Sequence, residues 1–547
     1  MKAVRFTWKK TFVFVLAAAL MVLSACGGSK DNSEATGAAG ATNAPANGKK
    51  VVNIGVTYSP NALNPLSPVG QVSSYVSGLM FLPLVDLDED LTFKPMLADS
   101  ITTTDNTTFT VKLNPNAKWT DGTPVTADDV IFTLKLMANS KVASGFAYMF
   151  AIIEGLDDSG YLPEGKTDIS GVKKVDDHTL ELKTKAPTTL TIFQDSIGRY
   201  LLTVPQSALK DIAPEDINKS DFMQKPTLTD GPFKLVSYDR DHYVQMEANK
   251  DYFKGAPKLD QLNFKVLQGT AITTQLQSGE IDMNIPSFGV IPISDYEKVK
   301  GLKNFTTNDG PAVATQFMYI NEKTVPDAKQ RQAISYAINR ELIVKNLLKG
   351  SGEVVDGFLT SYSKYVNSNL KPVAYDPDKA KSLLQESGWN AGKTLNLSVL
   401  SGDSTLEQAA NIMAENLRAV GVNVKIQMLD LATLIDKLVK MDYDLGVLTV
   451  SLSPVNPLPD VAYFLHEGNP SGYKNADIET LLTALQSATD EAKLTEDYNK
   501  LQEIVAQDVP MPSIYATKAL GAMSNKVTGA KPKDFGMFIN VNEWDVK

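Results

Sequence analysis

The chain of 547 residues is 43% hydrophobic and 21% charged, and its 63 acidic side chains against 53 basic ones leave a net charge of −10. That balance excludes the basic surface that nucleic acid requires. A single cysteine excludes an intramolecular disulfide framework and a cysteine-ligated metal, and the length exceeds one hydrophobic core, so two or three domains are expected.

The first residues carry Lys2, Arg5, Lys9 and Lys10, then an apolar run over 11–23 that is too short to span a bilayer comfortably and fits an export signal. It ends in Leu23-Ser24-Ala25-Cys26, which resembles the lipobox of bacterial lipoproteins. The resemblance implies cleavage after residue 25, a diacylglycerol thioether on Cys26 and an extracytoplasmic chain held to the membrane by that lipid; a thiol suits this role through its nucleophilicity. Loss of residues 1–25 takes the net charge to −14. Residues 26–50 are small and polar and read as a flexible tether.

Residues 51–56 alternate into a strand, and 58–65 are rich in turn residues. A strand at 108–113 precedes Thr126-Ala127-Asp128-Asp129, an N-cap with an acidic third position, and the helix it opens repeats Val130, Leu134 and Met137 on one face. Residues 179–183 and 233–247 are strand-like. Beyond about residue 325 helices and strands alternate. The spacing predicts a helix over 328–349 with Ile334, Ile338 and Leu342 on one stripe, stopped by Gly350. Ser404 to Glu407 reads as a capping box for a helix reaching Val420, followed by a strand at 422–428 and a helix at 431–441. The buried-looking strand 445–450 then runs into Ser451-Leu452-Ser453 and three prolines, Pro454, Pro457 and Pro459, which should prevent regular structure from continuing. Two amphipathic helices fill 475–508. The alternation argues for an α/β domain with functional loops at strand C-terminal ends, where 451–460 lies.

The catalytic inventory is thin. His178, His242 and His466 are far apart and lack metal-ligand spacing. The glycines around 350–357 miss the dinucleotide spacing, and no Walker A sequence occurs. Asp86, Asp88 and Asp90 imitate the start of a calcium loop but meet Leu91 and Leu97 where a glycine and a glutamate are needed. No enzymatic role, metal or cofactor is expected.

Several stretches resemble one family, the solute-binding lipoproteins of peptide-type ABC importers, whose members include oligopeptide-, dipeptide- and nickel-binding proteins. The motifs are Trp119 to Val130, Thr229-Asp230-Gly231-Pro232-Phe233, Asn249 to Phe253, Leu276 to Asp282, Arg331 to Arg340 and Tyr375 to Ala380, in order along 51–547. The resemblance implies a type II periplasmic-binding-protein-like clamp of two α/β lobes with an additional domain. Lobe I would combine 51–85, 193–309 and 513–547, the additional domain 86–192, and lobe II 310–512. It implies capture of an extracytoplasmic peptide in the interlobe cleft by a monomer, and delivery to ABC permease subunits with their ATPases. Relatives carrying nickel chelates, opines or oligosaccharides, and a surface peptide-sensing role, remain alternatives. Val69 and Gln71 fall where relatives line the cleft, Gln316 sits just beyond the lobe crossing, and Ser451, Ser453 and Asn456 offer hydroxyls and an amide. Where many members hold a peptide's α-ammonium with an aspartate, this chain has Ser453, unless the register shifts enough to bring Asp460 there.

Overall fold

A computed structural model describes residues 48–67 and 70–547. The expected export segment, Cys26, all of the tether before residue 48, and Val69 lie outside the described residues.

One sheet runs through the molecule. Its path is Asn423–Leu429, Thr394–Leu400, Leu445–Ser451, Phe305–Ile320, Ser513–Ser524, Met283–Asn284, Val51–Val56, Gln261–Val266, Tyr243–Ala248 and Phe233–Asp239. The short strand Gly352–Glu353 pairs beside it, on Thr517 and Ala516. Val51–Val56 lies parallel to Gln261–Val266, and Thr394–Leu400 lies parallel to both of its neighbours. The helix Ser404–Ala419 supplies the crossover from Thr394–Leu400 to Asn423–Leu429, as parallel pairing demands, whereas residues 57–260, with a sheet of their own, separate Val51–Val56 from Gln261–Val266.

Alternation along the strands builds the cores. In Phe305–Ile320, Met318 and Ile320 point to one face and join Leu397, Val399 and Leu445. Phe317 and Tyr319 point to the other and join Phe464, Tyr498 and Leu501. These two clusters make a second body, while Val52, Ile54, Phe264, Met283 and Trp544 belong to the core of a first body. The region 86–192 has its own four-stranded antiparallel sheet, yet Phe109, Val111 and Leu180 join the first body's core. There Phe109 stacks on Phe193 with centroids 3.9 Å apart.

The chain passes between the bodies along Phe305–Ile320 and again along Ser513–Ser524, which pair antiparallel. Their register slips between Asp309 and Ala312 and again between Ala312 and Ala314. Gly310 and Pro311 occupy the first slip. Proline brings no N–H to the ladder, and bulges bend a strand; this irregular stretch is the structural pivot.

Most helices follow their sequence signals. Thr126 caps Ala127–Met137 in a capping box with Asp129. Three readings need correction. The helix expected over 328–349 breaks: Ala328–Ala337 ends at Ile338 in extended conformation, Asn339 caps a new turn by accepting from the Leu342 N–H, and Ile343–Leu347 is π-helical. Local side-chain capping wins over apolar periodicity here, and Leu342 is exposed. The helix Ser404–Ala419 is capped by Asp403, not by Ser404; aspartate is the stronger acceptor for the Thr405 and Leu406 N–H groups. The third correction concerns the prolines and is part of the site.

The motif at 229–233 holds one joint. Asp230 is buried, and its Oδ1 accepts from the Leu82 N–H at 2.9 Å. A Cβ on Gly231 would lie 2.2 Å from the Leu79 carbonyl oxygen, so only glycine lets the two segments meet. The two ends of the described chain are neighbours: Lys50 pairs with Asp545 at 2.7 Å, and Val527–Thr528 pairs with Asp545–Val546.

Candidate functional site in the cleft between the bodies

The second body presents the segment after Leu445–Ser451. The loop spans only 452–457, because the prolines start a helix instead of preventing one. Pro457 is the N-cap of Leu458–Leu465 and Pro459 lies in its first turn, where the missing N–H costs nothing and the fixed φ suits a helix. Helical geometry then returns Asp460 to Ser453, whose backbone N–H donates to Asp460 Oδ2 at 3.3 Å.

The first body presents a helical segment opened by Thr189, whose hydroxyl accepts from the Ile192 N–H at 3.1 Å. Leu190–Phe193 continues into the π-helical turn Gln194–Gly198, which brings Asp195 and Arg199 to the interface. Asp195 Oδ1 accepts from Arg199 Nη1 at 2.9 Å, and its Oδ2 accepts from the Ser453 hydroxyl at 3.0 Å. Ser453 Oγ in turn accepts from the Asn456 N–H at 3.1 Å. Arg199 Nε stands 3.6 Å from Asp86 Oδ1, and the guanidinium lies near the rings of Tyr200 and Phe535. One serine thus touches a carboxylate from each body.

The electrostatics of the two carboxylates differ. Asp195 has its guanidinium. Burial pushes the Asp460 carboxyl up to about 7, the Asp195 charge pushes the same way, and the Ser453 N–H opposes both. Burial likewise raises Asp86, with Arg199 opposing.

Two further contacts bridge the cleft. The Tyr362 hydroxyl donates to the Glu89 carbonyl at 2.9 Å, and its ring lies 5.7 Å from that of Phe535. Thr191 of the first body meets a pair of the second, Lys364 and Glu491 at 2.9 Å: its hydroxyl accepts from Lys364 Nζ at 3.3 Å and donates to Glu491 Oε1 at 3.2 Å. A small cavity beside these contacts is lined by Val313, Thr315, Thr360, Tyr362 and Ser453. The acidic turn that imitates a calcium loop is engaged by lysines, with Lys94 on Asp90, Lys531 on Glu89 and Lys533 on Asp88. No group of three potential metal ligands occurs among the described residues.

The residues expected at the site divide. Gln316 and Ser451 share one antiparallel pair: Gln316 lies opposite Thr449 and donates to its hydroxyl, and Ser451 lies opposite Ala314. Gln316 is buried and its Oε1 has no hydrogen-bond partner among the described residues. Ser451 is exposed, while Ser453 and Asn456 are partly buried and bonded to each other. Gln71 is exposed at the start of Gln71–Met80, away from this cluster's bonds and beside Tyr75, whose hydroxyl donates to the Asp534 carbonyl at 2.7 Å. Sequence reasoning missed Asp195 and Arg199. They lie about 250 residues from Ser453, and nothing local distinguishes them from surface charges on a short helix.

Two α/β bodies pivoting on paired strands, with polar groups meeting across the cleft, define a solute-binding clamp of the type II kind. Residues 92–472 match the bacterial extracellular solute-binding proteins, family 5. This chain belongs to that family. It is 27% identical over 564 residues to the oligopeptide-binding protein AppA of Bacillus subtilis, covering 98% of this chain and 99% of AppA. The structure of that AppA in complex with a nonapeptide is similar with a TM-score of 0.72 at 26% identity, covering 91% of this chain and 99% of that one. The ABC transporter substrate-binding protein CtaP of Listeria monocytogenes is similar with a TM-score of 0.79 at 26% identity over the same shares. Among the described residues no helix is long and apolar enough to cross a membrane.

Proposed function

We propose that this chain captures oligopeptides outside the cytoplasm and hands them to an ABC permease driven by separate ATPase subunits, acting as a monomer held to the membrane by lipid on Cys26. The observation that carries the reading is the reach of Ser453 across the cleft to Asp195. Contacts between bodies joined only by a pivot exist in the closed form alone, so a solute touching both bodies shifts the balance toward closure. The likeness to AppA over nearly the whole chain supports a peptide as that solute.

The boundaries we assign are lobe I at 51–85, 193–309 and 513–547, an additional domain at 86–192, and lobe II at 310–512. In the cleft, strand edges and the 452–457 loop offer main-chain groups, which are common to all peptides and give affinity without sequence preference. The Ser453 hydroxyl is already committed to Asp195, so we assign it no charge-bearing role toward the peptide's amino terminus. The binding residues we propose are Ser451, Ser453, Asn456 and Gln316 on one side, with Val69 and Gln71 on the other.

Mass spectrometry of solute co-purified with the chain tests the reading. A set of peptides of mixed sequence is expected; a nickel chelate, an opine or an oligosaccharide as the main species overturns it. Calorimetry with free and N-acetylated forms of one nonapeptide tests the mode of capture. Equal affinities are expected, and abolition by acetylation defeats main-chain capture.

A further inference from the structure

Closing the cleft brings Asp195 from one body and Asp460 from the other onto a single serine. Arg199 neutralises Asp195. The groups that face Asp460 are the Ser453 N–H from its own body's loop, Asp195 from the helical segment opposite, Tyr148 from the turn Ala147–Phe150, Tyr200 beside Arg199, and Tyr498 from the helix Glu491–Asp508. None of these is a cation, and among the described residues Arg199 is the guanidinium of the cluster, already shared between Asp195 and Asp86. Ser453 has one hydroxyl hydrogen and gives it to Asp195, so among the described residues Asp460 receives a backbone N–H alone.

We infer that closure of the cleft takes up a proton on Asp460, so that the clamp closes more readily as pH falls. This rests on the interlobe reading of the site above and adds a regulation to it. When the bodies part, Asp460, partly buried here, gains further exposure to water and loses the neighbouring Asp195 charge, and its carboxyl returns toward the ordinary range. In the closed form it is held near 7. The closed form therefore binds more protons than the open one, and by linkage the closure constant rises as pH falls through about 7, levelling off near the open-form value. Between pH 7.5 and 5.5 the gain is on the order of tenfold. Main-chain capture fits this device, because a peptide held by its backbone brings no cation to Asp460 in the proton's place.

Small-angle X-ray scattering of the purified chain without added peptide, from pH 8 to 5.5, reads the closure directly. The radius of gyration is expected to fall with pH in the wild type. Asp460→Asn mimics the protonated side chain and is expected to give the compact value throughout. Asp195→Asn removes a like charge and is expected to move the midpoint to lower pH, which keeps the test valid should either variant fold poorly. A wild-type radius independent of pH, or an unchanged pH dependence in Asp460→Asn, overturns the inference. Calorimetry with the N-acetylated nonapeptide separates this from the functional reading. Binding without pH-dependent closure removes the proton and leaves the peptide; pH-dependent closure without binding does the reverse.

Discussion

Two carboxylate joints in this molecule, one buried and one partly buried, solve the same problem differently. Inside the second body, Asp356 is held by both Nη atoms of Arg340, at 2.6 and 3.1 Å, and also accepts from the Val373 N–H. The two Nη atoms also donate to the carbonyls of Val355, Val373 and Ser513, while the buried Nε has no hydrogen-bond partner among the described residues. Both side chains are more than nine-tenths buried. Between the bodies, Asp195 and Asp460 meet on one hydroxyl and one N–H of Ser453. The first joint is a buried ion pair of matched charge that fastens the 353–373 loop to the crossing strand Ser513–Ser524. The second is unevenly matched: Asp195 keeps Arg199 from its own body, while Asp460 has the Ser453 N–H and no cation. The Arg340 joint carries matched charge; the interbody one uses neutral donors whose loss on opening is small.

The largest test breaks the permanent joint. Arg340→Ala leaves Asp356 buried without its cation and is expected to destabilise the protein by about 3–5 kcal/mol, read as a lowered denaturation midpoint. Next, Gly231→Ala forces a Cβ against the Leu79 carbonyl and is expected to cost about 1–3 kcal/mol of stability. It strains a joint within the first body, so the pH dependence of closure should survive it. The reversible joint should respond in the opposite sense: Ser453→Ala is expected to leave the denaturation midpoint within about 0.5 kcal/mol of wild type. It should weaken nonapeptide binding about tenfold, the worth of one lost hydrogen bond to a charged acceptor. An equal effect on stability would erase the distinction between the two joints. The smallest effect belongs to the rim: Lys364→Met removes the bond to Thr191 across the cleft together with the half-exposed pair with Glu491 and is expected to change affinity by about 0.2–1 kcal/mol, weakening at high salt. A salt-independent loss would place that pair among the buried joints.

Much of the second body was legible in the sequence, since strands and helices such as Leu445–Ser451 and Glu491–Asp508 carry strong periodicity. The break at Ile338 was not, because Asn339 acts as a cap only through its bond to the Leu342 N–H, and periodicity alone favours continuation. At the site, Ser453 was legible as the end of a strand and the start of a proline loop. Its surroundings were not. The loop itself is uncharged, yet the fold sets Asp195 against it from 258 residues away, a position that nothing near it in the chain predicts; Asp460 was legible as a candidate carboxylate, but not its return to the Ser453 N–H through a turn of helix. Contacts between distant segments leave no local pattern, so a pocket's charge is read from its walls and not from one of its loops.

The adjacency of Lys50 and Asp545 has a mechanical consequence. Whatever precedes Lys50 and whatever is fused after Lys547 leave from one spot on the first body, so a pull applied at either end acts on that body alone. The second body hangs on the paired strands and swings without dragging either end. A fluorescent or affinity tag at the C-terminus therefore rides with the stationary half, and a reporter of closure has to be placed on the half that moves.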